Sequence, residues 1–309
     1  MKRILCSALV LLLTVGAVFA QNCEIRWMSL SADEDEQTPP IAKQFLCNRL
    51  GALMSAGESD VVGPYAQFYI TSKSSVMSEQ LMGSAPPKTS LVLLLTLYIG
   101  DSWGEKIFAQ TSLELRGAGN SREQAYLNAY RSLNGNNAQL KSFFEEGKQK
   151  VLSYYDSEYP RILKEAQRLA SLKEYDNALF LLSAVPVCCK GYEEVSDALS
   201  ATYQAYVDYT SLKLLQQARM AWAASPDRNG AEAAAEYLLA IEPFAACYDE
   251  AMALYTEMKT KVREDWDFEM RQKYTDELEI RKLEIEKAKA VGVAFGNNQQ
   301  PRTTNIIPR

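Results

Sequence analysis

Histidine is absent from the 309 residues, and that absence limits the available chemistry more than any motif present. Without an imidazole there is no Ser–His–Asp or Cys–His nucleophilic site. Zinc, copper and haem sites with histidine ligands are excluded as well. Chemistry on paired carboxylates survives this exclusion, but the acidic pairs Asp33/Asp35 and Glu145/Glu146 read as solvent-facing. Tyr209-Thr210-Ser211-Leu212-Lys213 has the spacing of a Tyr-x-x-x-Lys dyad, without a dinucleotide fold to serve. Gly117-Ala118-Gly119-Asn120-Ser121 lies between a strand pattern and a helix pattern, where phosphate loops lie. Arg122 occupies the place of the third glycine of a dinucleotide fingerprint, and the Gly-Lys-Ser/Thr of a P-loop is missing. Ser121 and Gln124 instead make a Ser-x-x-Gln capping box, with the glycines forming the turn before it.

The six cysteines are the remaining reactive side chains. They lack Cys-x-x-Cys and Cys₄ zinc spacing, so the sequence predicts no tightly bound metal and no cofactor. Cys188-Cys189 and Cys247 fall in matching positions of a weak internal repeat described below. That match predicts a disulfide from Cys247 to Cys188 or Cys189. A second pairing, Cys23 with Cys47, joins a strand start to the middle of a helix, and nothing in the pattern fixes their approach.

Disulfides require export, and the amino terminus predicts it. Lys2 and Arg3 precede an apolar or small run from Ile4 to Ala20, and Val18-Phe19-Ala20 sets small residues for cleavage before Gln21. A lipobox wants a small residue before its cysteine, and neither Cys6 nor Cys23 has one. No later stretch is long and apolar enough to span a membrane. The expectation is a chain exported to the periplasm or beyond. Its net charge of −6 and lack of a basic cluster give no footprint for nucleic acid.

These residues must be positioned by three sections. Residues 21–156 are expected to form an α+β domain. Strands are expected at Cys23–Leu30 and Tyr65–Thr71, and a helix from Ile41 to about Ser55. Ser72–Thr89 reads as a polar loop. Leu91–Ile99 is a nearly continuous apolar run, as in a central strand covered on both faces. Lys106–Arg116 alternates and closes a hairpin with it. Helices follow from Ser121 and over Ala138–Tyr155. Helices packed on an antiparallel or mixed sheet make an α+β layer arrangement.

Residues 157–258 predict an all-α array. Leu181-Leu182-Ser183-Ala184-Val185-Pro186 resembles Leu238-Leu239-Ala240-Ile241-Glu242-Pro243, and Tyr192-Glu193-Glu194 resembles Tyr248-Asp249-Glu250 after a one-residue gap. Glu174-Tyr175-Asp176-Asn177-Ala178 with Leu182 is similar to the second helix of a tetratricopeptide hairpin, although the spacing departs from the regular repeat of about 34 residues. From Tyr248 one helix is expected to run to about Phe295, charged after Met258. Its i,i+4 pairs are Asp267–Arg271, Glu269–Lys273 and Glu277–Arg281, each contributing about 0.2–0.5 kcal/mol. A narrow stripe of Trp266, Met270, Tyr274 and Leu278 lies along it. Such a helix gains little from its own domain, so the stripe is the expected surface for a partner protein or a second copy; the alternative is that Trp266 and Tyr274 fold back onto the helical array. A disordered polar tail is expected from Gly296.

Leu115-Arg116-Gly117-Ala118-Gly119-Asn120-Ser121, with Ala125 and Ala129 on the next helix, is similar to envelope and flagellar-assembly proteins of the LPP20 and FlgT type. The hairpin before it resembles TolB-like amino-terminal domains. These resemblances span about residues 90–133 and imply a small docking module of envelope assemblies, with no catalytic residues to carry over. The expected function is thus a non-enzymatic scaffold or adaptor in a bacterial envelope. Two other readings compete with it: a small-ligand or lipid-binding protein with an apolar pocket between sheet and helices, and a carboxylate-dependent glycan hydrolase.

Overall fold

The computed structural model describes residues 25–31, 37–54, 61–62, 66–83, 85–262, 266, 268–272 and 277–299. The expected signal peptide, Cys23, Asp33/Asp35, Tyr274 and residues 300–309 lie outside them; the first residues of the expected disordered tail, 296–299, are instead helical. In chain order the elements are β1 (Arg26–Ser29), α1 (Pro40–Met54), β2 (Val61–Val62), β3 (Phe68–Met82), β4 (Lys88–Asp101), β5 (Lys106–Gly119), α2 (Arg122–Arg131), α3 (Ala138–Ser171), α4 (Tyr175–Ser183), α5 (Tyr192–Ala224), α6 (Arg228–Leu239), α7 (Tyr248–Val262) and α8 (Glu277–Gln299). An α+β amino-terminal part is followed by helices.

The sheet is mixed, in the order β2-β1-β3-β4-β5. β1 runs parallel to both its neighbours, and β3, β4 and β5 form an antiparallel meander. Leu91, Leu93, Leu95, Leu97 and Ile99 are buried together, since alternate residues of a strand share a face. The opposite face differs from the sequence expectation. Val92, Leu94 and Thr96 are only half-buried, flanked across the ladder by Lys73, Glu114 and Arg116. The sheet is therefore covered by helices on one side and partly open on the other.

Ser72–Met82 is strand, not loop. It continues β3 and pairs residue for residue with Lys88–Leu97, with one bulge between Val76 and Ser78. Ladder hydrogen bonds use backbone groups only, so serine-rich sequence does not forbid a strand.

Two turns tie sheet to helices. After β5, Ser121 caps α2 by accepting from the Gln124 N–H at 3.2 Å, and Gln124 Oε1 accepts from the Asn120 N–H at 3.1 Å. The glycines before it serve packing: a Cβ on Gly117 would lie 2.0 Å from the Ala125 carbonyl oxygen, and one on Gly119 would lie 2.6 Å from Gln124 Cβ. The β4–β5 turn is held by Asp101. Its Oδ1 accepts from the N–H groups of Trp103 (2.8 Å) and Gly104 (3.1 Å). Its Oδ2 accepts from the Tyr155 hydroxyl (2.6 Å) and the Gln67 amide (3.1 Å). One buried carboxylate thus joins the start of β3, the turn and α3.

α3 runs unbroken through the boundary expected near residue 156, with Pro160 inside it. Pro160 is exposed, on the side where a missing N–H disturbs least. The helix ends in a Schellman motif. Lys173 takes a left-handed φ of 66°, its N–H bonds the Ala170 carbonyl at 3.0 Å, and the Glu174 N–H bonds Leu169 at 3.0 Å. One helix is therefore shared by the α+β part and the array.

Candidate interaction face

The array repeats a unit of long helix, short helix and tight loop. Ala178 and Ala234 are buried at equivalent places, as are Leu182 and Leu238, Val185 and Ile241, and Val195 and Ala251. The loops repeat bond for bond. Val185 N–H to Leu182 O matches Ile241 to Leu238, Cys189 to Pro186 matches Ala245 to Glu242, and Tyr192 to Cys189 matches Tyr248 to Ala245. Each loop is clamped by an aspartate on the preceding long helix. Asp156 accepts the Lys190 N–H at 2.8 Å, and Asp208 accepts the Ala246 N–H at 2.8 Å. This frame sets Pro186 opposite Glu242, one residue from the match with Pro243 that the sequence suggested, and needs no gap.

The corrected frame accounts for the cysteines. Cys189 is equivalent to Ala245 and Cys247 to Gly191, so they do not occupy matching positions. Cys189 and Cys247 are free thiols, as is Cys47. Cys188 is disulfide-bonded. Neither the bridge from Cys247 to Cys188 or Cys189 nor the Cys23–Cys47 alternative forms. Cys47 instead donates its thiol to the Ser29 carbonyl at 3.2 Å. Burial, with the Asp156 carboxylate beside it, pushes the Cys189 thiol up to about 12. Burial also raises Cys247. Since the thiolate is the nucleophile, alkylation of the native protein by iodoacetamide at pH 8 is expected to leave both unlabelled, with both labelled after denaturation. Labelling of Cys189 in the native state, read by peptide mass spectrometry, would contradict this geometry.

The terminal segment departs most from expectation. Helix α7 stops at Val262, and no single helix carries the stripe. Trp266 is 7% exposed. It stacks on Phe268 at 5.2 Å and 28° and lies 5.9 Å from Tyr255. The Tyr255 hydroxyl donates to the Phe268 carbonyl at 2.8 Å. Trp266 and Phe268, neither of them in a helix, pack on Tyr255 of α7, Trp266 buried and Phe268 half-buried. Met270 is half-buried and packs on the same core. Leu278, on α8, is 72% exposed. Of the four stripe residues, then, two are inside, one is out and Tyr274 is not described.

Of the expected i,i+4 pairs, Asp267, Lys273 and the Glu277 side chain lie outside what is described, while Arg271 and Arg281 also reach other elements. Arg271 donates to the Ile241 carbonyl (2.6 Å) and pairs with Glu242, and Arg281 pairs with Asp197. Helix α8 lies on α4 and α5. Ala288 is fully buried, and Gly292 sits so close that a Cβ would meet Ser183 Oγ at 2.3 Å. Ser200 donates to Glu284 at 2.7 Å, Lys287 pairs with Glu242 at 3.1 Å, and Phe295 meets Phe180 at 5.8 Å. The expectation that this helix gains little from its own domain is corrected by this small-residue seat.

Beside α8 runs a belt of rings, of which Tyr175 and Tyr203 are buried and Tyr206, Tyr209 and Phe244 half-buried. Tyr203, Tyr206 and Tyr209 follow one another along α5, with Tyr175 of α4 within 6.2 Å of Tyr206 and 5.7 Å of Tyr209. Phe244 lies 6.5 Å from Tyr203. Lys213 sits 4.3 Å over the Tyr209 ring and Lys173 5.6 Å from it. The Tyr209/Lys213 pair is thus an ammonium on an aromatic face, part of a surface and not a proton-transfer dyad. Burial raises Tyr206 and Tyr203 above the usual tyrosine range, Tyr203 to about 12. Sequence reasoning missed the belt, although Tyr203, Tyr206 and Tyr209 recur at helical spacing.

Glu146 pairs with Lys150 at 2.6 Å on the surface of α3. Among the described residues no group of three or more Cys, Asp or Glu side chains is placed to hold a metal ion. No described helix is long and apolar enough to cross a membrane.

No protein-family model matches the chain, and no curated protein matches it. Among solved structures, a hypothetical protein from Chlamydia trachomatis matches at a TM-score of 0.20 and 7% identity, over 42% of this chain and 95% of that one. A likeness of that size carries no argument.

Proposed function

We propose that this protein is an exported, non-enzymatic scaffold or adaptor of a bacterial cell envelope, and that its helical array holds a protein partner. The observation that carries the reading is the belt of Tyr175, Tyr206 and Tyr209 with Lys173 and Lys213, set on two repeated helical units. Tyr206 and Tyr209 are half-exposed, with Tyr175 buried against them, and such tyrosines give contact area with few rotamers to freeze, which is why they are enriched where proteins bind. The hairpins are read as tetratricopeptide-like, and the strand–Gly-x-Gly–helix module as related to the LPP20, FlgT and TolB-like docking modules it resembles. Export rests on Lys2–Ala20 and agrees with a bonded Cys188.

The test is a photo-crosslinking residue at position 209 in the native envelope, with position 116 on the open sheet face as control. One discrete adduct from 209 and none from 116 is expected. No adduct from 209, or the same adduct from both, would count against the reading.

The terminal helix gives a second measurement. A chain ending at Val262 loses the Trp266 stack and the seat of α8, so its melting temperature is expected to fall by about 5–10 °C. An unchanged melting temperature with lost association would return the terminal segment to the role of partner-binding or self-associating element.

A further inference from the structure

Local and tertiary preferences conflict in the terminal segment. From Tyr248 to Val291 the chain holds no glycine and no proline, so no local signal stops a helix there. Every fourth residue from Leu254 is apolar: Met258, Val262, Trp266, Met270, Tyr274 and Leu278. Leu254 and Met258 are buried on α7, so the row continues the packed side of that helix. A row at i+4 is the ridge by which two helices interlock. Yet α7 ends at Val262, and neither Trp266 nor residues 268–272 are helical. Tertiary contacts hold them in that form: the Trp266 ring on Tyr255, and Arg271 on the Ile241 carbonyl. A sequence whose local preference is overridden in this way has two structures available to it.

Helix α8 has a seat of its own, on α4 and α5 of the array. The seat is specific. A Cβ on Gly292 would stand 2.7 Å from the Leu179 carbonyl oxygen. Arg281 pairs with Asp197, and the Lys289 ammonium lies 5.1 Å over the Tyr192 ring. A seat that fits α8 of its own chain fits α8 of an identical chain equally well, and exchange of an identical element is a low-cost route to a dimer.

We propose that two copies of this chain exchange α8, each α8 taking the α4–α5 seat of the other copy while α7 and α8 join in one helix. Every contact of the seat is kept. The apolar row from Trp266 to Leu278 leaves Tyr255 and meets the same row of the second copy. Because exchange needs two chains, the dimer grows with concentration and the single chain keeps the fold-back described above. The inference does not rest on the tyrosine belt and stands without it.

Light scattering of the full mature chain, equilibrated warm at micromolar and at millimolar concentration, is the first measurement. A dimer is expected at the higher concentration only. Two charge variants then separate exchange from ordinary docking. Asp197→Arg sets a seat against its own Arg281, and Arg281→Glu sets a helix against its own Asp197. Only a mixed dimer with exchanged helices places opposite charges in both seats. In an equal mixture of the two variants, native mass spectrometry should therefore show several times more mixed dimer than either homodimer. Glu269 is exposed and outside any helix, so Glu269→Pro should leave the melting temperature of the monomer unchanged. It should lower the dimer at least ten-fold, because proline breaks the joined helix. No dimer of the parent at millimolar concentration, no excess of mixed dimer, or a Glu269→Pro chain that dimerises like the parent would each overturn the proposal.

Discussion

Replacing Gly117 by alanine is expected to destabilise the protein by about 3 kcal/mol or more, while the same change at Gly83 leaves stability within about 0.5 kcal/mol of the parent. At Gly117 the new methyl would stand 2.0 Å from the Ala125 carbonyl oxygen and 2.6 Å from the Ala129 amide nitrogen. Both are backbone atoms of α2, so neither can move aside by a rotamer change. The helix itself must lift from β5, and with it Tyr126 and Tyr130, which are fully buried beneath it. Gly83 follows β3 and has nothing within 4 Å of its Cβ direction. There the only effect is a slightly less flexible unfolded chain. Thermal or urea denaturation reads both. Equal midpoints for the two variants would mean that α2 does not pack as closely as described. The result also bears on chemistry. If these glycines serve packing, adding phosphate to the parent changes no midpoint, whereas an anion site at this turn would be stabilised by its ligand.

The same turn shows what was legible in the sequence. Ser121 and Gln124 are a local signal, because capping involves residues three apart. Lys106–Arg116 was legible because period-two alternation is written in its side chains, and Leu91–Ile99 as a strand-length apolar run, although that run did not show that one of its faces stays partly open. Ser72–Met82 was not, since its strand exists through backbone pairing with β4 and its own side chains are mostly polar. The repeat was visible, but in the wrong frame. Prolines attract the eye, while the physical repeat lies in small buried residues such as Ala178 and Ala234 and in the aspartate clamps Asp156 and Asp208. These clamps come from a different helix and have no local signature. The terminal stripe failed for a related reason. Helical spacing of Trp266 and Met270 assumes the helix continues, and the aromatic pair Trp266/Phe268 gains more by folding onto Tyr255.

Asp101 carries the second large expectation. Asp101→Ala should cost about 3–5 kcal/mol, because one deletion removes the acceptor of the Trp103 and Gly104 N–H groups and of the Tyr155 hydroxyl, and leaves the Gln67 amide only its bond to the Tyr155 oxygen. Tyr155→Phe removes the hydroxyl's bond to Asp101 and the one it accepts from Gln67, while Gln67 keeps Asp101, and should cost about 1–2 kcal/mol. Asp101→Asn belongs between them, since an amide keeps one acceptor but turns an NH₂ toward donors. The cluster also sets an alkaline limit. Burial, and then the Asp101 charge, push Tyr155 well above the usual tyrosine range, and the same two causes raise Tyr69. In the unfolded chain these phenols ionise near pH 10, roughly the model-peptide value, while in the fold they stay protonated. The stability they contribute is therefore complete below about pH 10 and is lost as pH rises through the folded values. Melting temperatures of the parent should fall steeply from pH 9.5 upward (about half a unit below that ionisation). Tyr155→Phe should flatten the slope, because its ring cannot ionise. Asp101→Ala should start lower and also decline less, having removed one source of the raised values. An Asp101→Ala protein within about 1 kcal/mol of the parent, or a parent whose melting temperature is level through pH 11, would show that this carboxylate does not hold β3, the turn and α3 together.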